Sequence, residues 1–142
     1  MIIQRWCLSD VKQIAEMEQR YIYHPYSEAV LGEMLNNPSC LGLKIMDGDV
    51  LAAYVSGEFV IDEFNINNVV VDKDYRRRGY AEALIREVID RCKQSGVQKI
   101  YLEVAQNNEA AKNLYYKLDF TFSYERKKYY GEQSALVLVK TV

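Results

Sequence analysis

The stretch from Val69 to Gly79 runs three valines into Asp-Lys-Asp-Tyr, then into Arg76-Arg77-Arg78-Gly79, and an amphipathic pattern begins at once. Three adjacent guanidinium groups repel one another, so the chemistry they suit is an anion held where a strand hands over to a helix. The first amides of a helix lack intrahelical partners and sit at the positive end of its dipole, which favours a phosphate or pyrophosphate. Gly79 keeps a Cβ out of the ligand's path, and Ala81 is the next smallest choice. No Gly-Lys-Ser/Thr follows, and the spacing is not that of a dinucleotide-binding glycine motif. Taken locally, the segment reads equally well as a charged surface loop.

Two further residues are chemically suggestive. In "IYLEVA", Ile100, Leu102 and Val104 share one strand face while Tyr101 and Glu103 share the other. A carboxylate on a central strand is costly unless paired or wet, so Glu103 reads by itself as a half-exposed strand residue. Tyr115 neighbours Ala111, Leu114 and Leu118 on a semi-apolar helical face and reads as core packing. Tyr116 points about 100° away around the same helix. Asn107 and Asn108 precede that helix and are cap candidates; capping is assigned here to Asn107. The one histidine, His24, stands directly before Pro25 without a ligand partner in sequence. A Ser-His-Asp triad or a histidine-rich metal site is not expected.

The elements that must position these residues follow from periodicity and turn chemistry. A strand over Ile2–Trp6 leads to a helix with Val11, Ile14, Ala15 and Met17, capped by Ser9 or Asp10. A proline-containing turn precedes a second helix capped by Ser27 and ended by Asn36-Asn37-Pro38. Leu41–Met46 and Val50–Val60 form a hairpin about Asp47-Gly48-Asp49, and Phe64–Val71 is the next strand. Ala81, Leu84, Ile85, Val88, Ile89 and Cys92 recur at helical spacing up to Gly96. "KIYLEVA" is a strand, "NNEAAKNLYYKL" a short helix, and the tail two strands around a turn near Gly131. The order β-α-α-β-β-β-α-β-α-β-β predicts a mixed α/β fold in a single domain over residues 1–142.

Composition narrows the functions. The chain has 142 residues, 49% of them hydrophobic, and a formal net charge of −2. That balance argues against broad nucleic-acid binding, which usually needs a strongly basic face, and no nucleic-acid partner is expected. Three cysteines without CxxC spacing suggest neither a disulfide framework nor zinc, and fit a reducing compartment. No apolar run reaches the length of a membrane span, and "MIIQRW" lacks a signal-peptide layout. A cytoplasmic protein with no metal and no membrane partner is expected.

Arg76-x-x-Gly79-x-Ala81 after "NNVVVDKDY" matches the Arg/Gln-x-x-Gly-x-Gly/Ala motif of the GNAT superfamily of N-acetyltransferases. "YLEVAQNNEAAKNLYYKLDF" resembles the LEV…N-x-x-A-x-x-L-Y-x-x-x-G-F segment of the same superfamily. "HPYSEAVL" and the double-tyrosine tail "RKKYYGEQSALVLV" are similar, more narrowly, to the RimI-type ribosomal-protein-alanine N-acetyltransferases. The resemblance spans nearly the whole chain. It departs at Asp119, where "GF" is usual, and at Ser134, where an acidic residue commonly precedes the alanine.

This resemblance implies a central mixed, mostly antiparallel sheet flanked by helices, with acetyl-coenzyme A as donor. It implies that the pantetheine pairs along Val69, Val70 and Val71. The pyrophosphate would rest on the amides of Arg77, Arg78, Gly79, Tyr80, Ala81 and Glu82. Asn108 matches a cofactor-contacting position, Glu103 the general base and Tyr115 the general acid that protonates the departing thiolate. A backbone amide near Val70 is expected to polarise the thioester carbonyl. Tyr23, Tyr26, Tyr129 and Tyr130 are candidates to line a groove for a peptide N-terminus. The expected acceptor is a protein N-terminal α-amine, such as a ribosomal protein's alanine. Its rivals are a lysine or small-molecule amine, and a non-catalytic acyl-coenzyme A-binding module.

Overall fold

The computed structural model describes residues 1–142, except for the side chain of Tyr130. Seven strands and four helices follow in the expected order. They are β1 (Ile3–Arg5), α1 (Val11–Tyr21), α2 (Glu28–Leu35), β2 (Cys40–Asp47), β3 (Val50–Val60), β4 (Glu63–Val71), α3 (Tyr80–Gln94), β5 (Lys99–Ala105), α4 (Glu109–Lys117), β6 (Thr121–Tyr130) and β7 (Gln133–Thr141). They build one sheet in the order β1-β2-β3-β4-β5-β7-β6. Every neighbouring pair is antiparallel except β4 and β5.

The sheet is covered on both faces, which explains why strands such as β3 are buried almost throughout. On one face α3 places Leu84, Ile85, Val88 and Ile89 against Leu41, Leu43, Val55, Phe64, Ile100 and Leu102. Each such side chain, fully buried, contributes about 1.5–3 kcal/mol of apolar transfer. On the other face Val11, Ile14 and Met17 of α1 and Leu31 of α2 meet Trp6, Leu51, Tyr54 and Val70.

The start of α1 departs from the expected cap. A single 3-10 turn, Leu8–Asp10, precedes it, and Ser9 lies inside that turn. Asp10 occupies the cap position of α1 but spends its carboxylate elsewhere. It accepts the Cys7 amide at 2.7 Å and the Lys44 ammonium at 2.5 Å. The nonlocal pair wins because both side chains are buried, and a buried lysine without a counter-charge is costly. Ser27 caps α2 as expected, accepting from the Val30 amide at 3.2 Å.

Two irregularities shape the middle of the sheet. Between Ser56↔Asn68 and Gly57↔Ile66 the β3–β4 register shifts, so Asn67 is the extra residue of a bulge in β4. Gly57 permits the close approach there, since a Cβ would lie 2.3 Å from the Phe64 ring and 2.6 Å from the Asn65 carbonyl. The parallel β4–β5 ladder holds only Glu63↔Lys99, Phe64↔Ile100 and Asn65↔Tyr101. Beyond that point the two strands part. β5 stays bound to β7 over Lys99–Ala105, and β4 to β3 as far as Val71.

Candidate active site

A cleft of about 1000 Å³ opens where β4 and β5 separate. One wall is β4 through Val69, and the other is Tyr101–Ala105 of β5. Asn108, Ala111 and Tyr115 of α4 also line it. The segment after α1 contributes Ile22, Tyr23, His24 and Tyr26, and β6 contributes Tyr124, Arg126 and Tyr129. Of the residues expected at the site, Val69, Glu103, Asn108, Tyr115, Tyr23, Tyr26 and Tyr129 therefore share one cavity. The expectation for the Tyr130 side chain lies outside the described residues.

The β4 edge explains how a thin ligand would be held. The Asp72 amide donates to the Ala52 carbonyl at 2.9 Å, so Asp72 directs its backbone groups toward β3. Antiparallel pairing alternates, so Val70 also faces β3, while Val69 and Val71 turn theirs toward the opening. Of the amides near Val70, those of Val69 and Val71 therefore point to the opening, and that of Val70 points to β3. The Val70 side chain meanwhile packs under α1, and those of Val69 and Val71 pack on the α3 side.

The strand then delivers the chain to the arginine loop. Arg77 has φ +64 and Gly79 has φ +78. A non-glycine residue held in this region costs on the order of 1–3 kcal/mol, and such strain concentrates where backbone amides are aimed at something. Gly79 is the cap position of α3, with no side-chain cap bond, and the Ala83 amide makes the first intrahelical bond to its carbonyl at 3.0 Å. The amides of Tyr80, Ala81 and Glu82 precede that bond and are available to an anion. A Cβ built on Gly79 meets nothing within 4 Å, so the space beside the cap position is open. Left-handed residues alternating with ordinary ones make the concave amide nest that binds phosphates. The residues present fit a pyrophosphate.

Around the nest the charges are arranged rather than loose. Arg76 lies over the Tyr21 ring at 5.2 Å and Arg78 over the Tyr75 ring at 5.0 Å. Arg20 pairs with Asp72 at 3.2 Å, fixing the end of α1 to the start of the loop. Glu82 bridges to Lys117 of α4 at 2.8 Å and Arg86 at 2.9 Å. Those hydrogen bonds, Lys117's first, hold its carboxyl below the usual range.

Glu103 lies opposite Val137 of β7, which lies opposite Tyr124 of β6. Its side chain is 27% exposed and forms an ion pair with Arg126 of β6. The hydrogen bond to Glu103 raises the Arg126 guanidinium further above its ordinary value. Arg126 also stacks on Tyr129, 4.1 Å from the ring centroid. Tyr115 is 8% exposed and meets Phe120 edge-on at 6.0 Å, so it serves the core and the cleft together. Tyr116 is 44% exposed, as its position on the helix requires.

Asn108, not Asn107, is the cap of α4. The Asn108 amide bonds the Ala105 carbonyl at 3.0 Å, which starts the helix one residue later. Asn108 Oδ1 then accepts the Ala111 amide at 3.2 Å. A cap side chain keeps its Nδ2 donors for another partner, so capping and ligand contact are compatible in one asparagine. Asp119 has φ +68 and takes the left-handed helix end that glycine would otherwise supply.

One buried group behind the cleft wall, bonded to its lining residues Tyr26 and Asn68, escaped the sequence reading. Glu18 of α1 is 0% exposed. It accepts the Tyr26 amide at 3.0 Å and Asn68 Nδ2 at 3.0 and 3.1 Å, together with the Tyr54 hydroxyl. Burial pushes its carboxyl above the usual range against the pull of those donors. The signal was its spacing: Val11, Ile14, Glu18 and Tyr21 follow one helical stripe.

Comparison with known proteins agrees with this architecture. The Acetyltransferase (GNAT) family matches residues 8–120. The [ribosomal protein bS18]-alanine N-acetyltransferase of Salmonella typhimurium is 33% identical over 138 residues, 92% of this chain and 90% of that protein. Its Escherichia coli K12 counterpart is 31% identical over 134 residues with the same shares covered. The crystal structure of the Escherichia coli ribosomal-protein-S18-alanine N-acetyltransferase superposes with a TM-score of 0.90 at 29% identity, covering 99% of this chain and 93% of that one. With the split sheet, the amide nest and these relatives together, the chain belongs to the GNAT family and is an acetyl-coenzyme A-dependent N-acetyltransferase.

Proposed function

We propose that this chain moves an acetyl group from acetyl-coenzyme A to the α-amine of a protein N-terminus, in the manner of the bS18-alanine enzymes, as one cytoplasmic domain. One observation carries the reading. Glu103 and Tyr115, from a strand and a helix 12 positions apart in sequence, line the same cleft beside the open edge of β4. The relatives named for the alanine of ribosomal protein bS18 favour that acceptor class.

The thioester supplies an acyl group that an amine attacks directly. The protein's task is to place and deprotonate that amine, and to return a proton to the thiol. An α-amine has a reference pKa near 8, against about 10.4 for lysine, so freeing it at neutral pH costs about 1 kcal/mol. Glu103 takes that proton, directly or through water, and the Arg126 pair holds its carboxylate in place. Tyr115 donates to the departing sulfur, a phenol near 10 facing a thiol near 8.5. The amide of Val69 or Val71 donates to the carbonyl oxygen as charge develops there. The amides from Arg77 to Glu82 hold the pyrophosphate, and Asn108 Nδ2 offers a further contact. Tyr23, Tyr26 and Tyr129 flank the acceptor's path.

Coenzyme A release is the assay, with two peptides. One copies the N-terminus of the host's bS18, beginning with a free alanine; the other is the same peptide, blocked at its N-terminus, with an internal lysine. Turnover on the first alone is expected. Turnover on the second alone removes the α-amine assignment and leaves the donor site standing.

A further inference from the structure

Glu18 poses a physical problem that acetyl transfer by Glu103 and Tyr115 does not use. Its carboxylate is fully buried, yet it belongs to no ion pair among the described residues. Its partners are an amide, a hydroxyl and a carboxamide, all neutral donors. Burying an unpaired carboxylate is among the more expensive choices a core makes, and an apolar side chain of that size would avoid the cost. What the carboxylate gains is reach. It joins three segments that no other side chain joins among the described hydrogen bonds. These are the loop after α1 through Tyr26, β3 through Tyr54, and β4 through Asn68.

The two outer attachments matter for the site. Tyr26 ends the Ile22–Tyr26 segment that walls the acceptor side of the cleft. Asn68 adjoins the bulge residue Asn67 and precedes Val69, whose backbone faces the opening. We propose that Glu18 is a positioning residue that holds the acceptor loop and the bulged edge of β4 in one fixed relation. The attacking amine and the polarised carbonyl are thereby registered against each other. The proposal rests on the acetyl-transfer reading and assigns Glu18 no proton transfer. Near-attack geometry is sensitive enough that a misplacement of about 1 Å costs about 10²-fold in rate.

The test exploits hydrogen-bond polarity. In Glu18→Gln one oxygen still accepts from the Tyr26 amide and Asn68 Nδ2, but Nε2 replaces the oxygen that accepted from the Tyr54 hydroxyl and from the same Nδ2. Asn68 therefore loses one of its two contacts, and Tyr54 must turn from donor to acceptor. In Asn68→Asp two carboxylates meet. The double variant restores one donor and one acceptor with their roles exchanged. Each single variant is expected to raise the acceptor-peptide KM about tenfold and lower kcat, while the acetyl-coenzyme A KM stays within about threefold. The double variant is expected to recover most of the loss, a coupling that two independent sites would not show. Folded single variants with wild-type acceptor KM overturn the proposal. So does a double variant that regains thermal stability without regaining acceptor KM.

Tyr54→Phe removes one donor without creating a clash, and serves if Glu18→Gln does not fold. A smaller rise in acceptor KM, about threefold, is expected, and no change counts against the proposal. Amide hydrogen exchange reads the coupling without any substrate. Asn68→Ala, made on β4, is expected to speed exchange at Tyr26, which donates to the same Glu18 carboxylate, by about tenfold. Unaltered exchange at Tyr26 refutes the link. A wild-type protein silent on every peptide refutes the peptide-acceptor reading instead, and leaves the exchange result to decide the link.

Discussion

Gly79→Ala separates what the glycine does for the fold from what it does for the donor. In the protein alone the added Cβ touches nothing within 4 Å, so no clash enters the cost. What remains is the left-handed backbone at φ +78, for which an L-residue pays about 1–2 kcal/mol. Restricting the unfolded chain returns about 0.4–1 kcal/mol. The net loss is about 1 kcal/mol, a fall in Tm of about 3 °C for a chain of this size. Binding answers differently, because the added Cβ enters open space at the N-terminus of α3, beside the site expected to hold the pyrophosphate. Calorimetric titration with acetyl-coenzyme A is expected to show Kd raised at least tenfold, about 1.4 kcal/mol or more. Thermal unfolding without ligand supplies the other half. A modest fall in Tm with an unchanged Kd would refute the argument, and would reduce Gly79 to a turn residue.

Three further outcomes are expected. Glu103→Gln keeps acetyl-coenzyme A affinity and lowers kcat/KM for the acceptor peptide by about 10²-fold or more, measured by coenzyme A release. Tyr115→Phe retains the ring against Phe120, so stability changes by about 1 kcal/mol at most while kcat falls about 10²-fold. Asp10→Asn strands the buried Lys44 ammonium and costs about 3 kcal/mol near neutral pH, read by denaturant unfolding. For Asp10, burial acts to raise the carboxyl, but the hydrogen bonds from Lys44 and Cys7 and the lysine's charge outweigh it and hold it below 3.8. A depressed carboxyl contributes above its unfolded value and loses that contribution as pH falls through its folded value. The gap between wild type and Asp10→Asn is therefore expected to be full above about pH 4 and to close below it.

Much of this was written in local pattern. The α3 stripe, the Asp47-Gly48-Asp49 hairpin and the Arg76-to-Ala81 run are short-range signals, and the structure has them where the spacing put them. The order of strands across the sheet is not local, and neither are the features that escaped. The bulge at Asn67 breaks alternation, so Ile66 and Val69 both face α3 although they are three residues apart. "INNVVV" gives no period that reveals this. Arg126 as the partner of Glu103 depends on the β6–β7 ladder, whose register shifts twice. The Asp10–Lys44 pair spans 34 positions and diverted a residue that local rules made a helix cap. Asn107 and Asn108 are chemically identical cap candidates, and a turn from Ala105 decides between them. Glu18 was the readable omission: it stands on the apolar stripe of α1, where a charged residue is itself a signal.

The parting of β4 and β5 bears on a hazard that has nothing to do with catalysis. An unpaired strand edge invites another molecule's strand and is a common start of aggregation, which proteins suppress with prolines, charges or covering segments. Here the exposed edge is internal. It begins at the Asn65↔Tyr101 pair, where the strands stand at ladder spacing, about 4.8 Å. Beyond that pair β5 remains the facing wall of the cleft. A foreign sheet, with its own side chains on both faces, is too thick to reach the backbone of Val69 and Val71. A single flexible chain of atoms is not. The notch thus keeps strand-like bonding groups permanently on offer while selecting their partner by thickness alone, and colloidal safety and ligand access come from the same geometry.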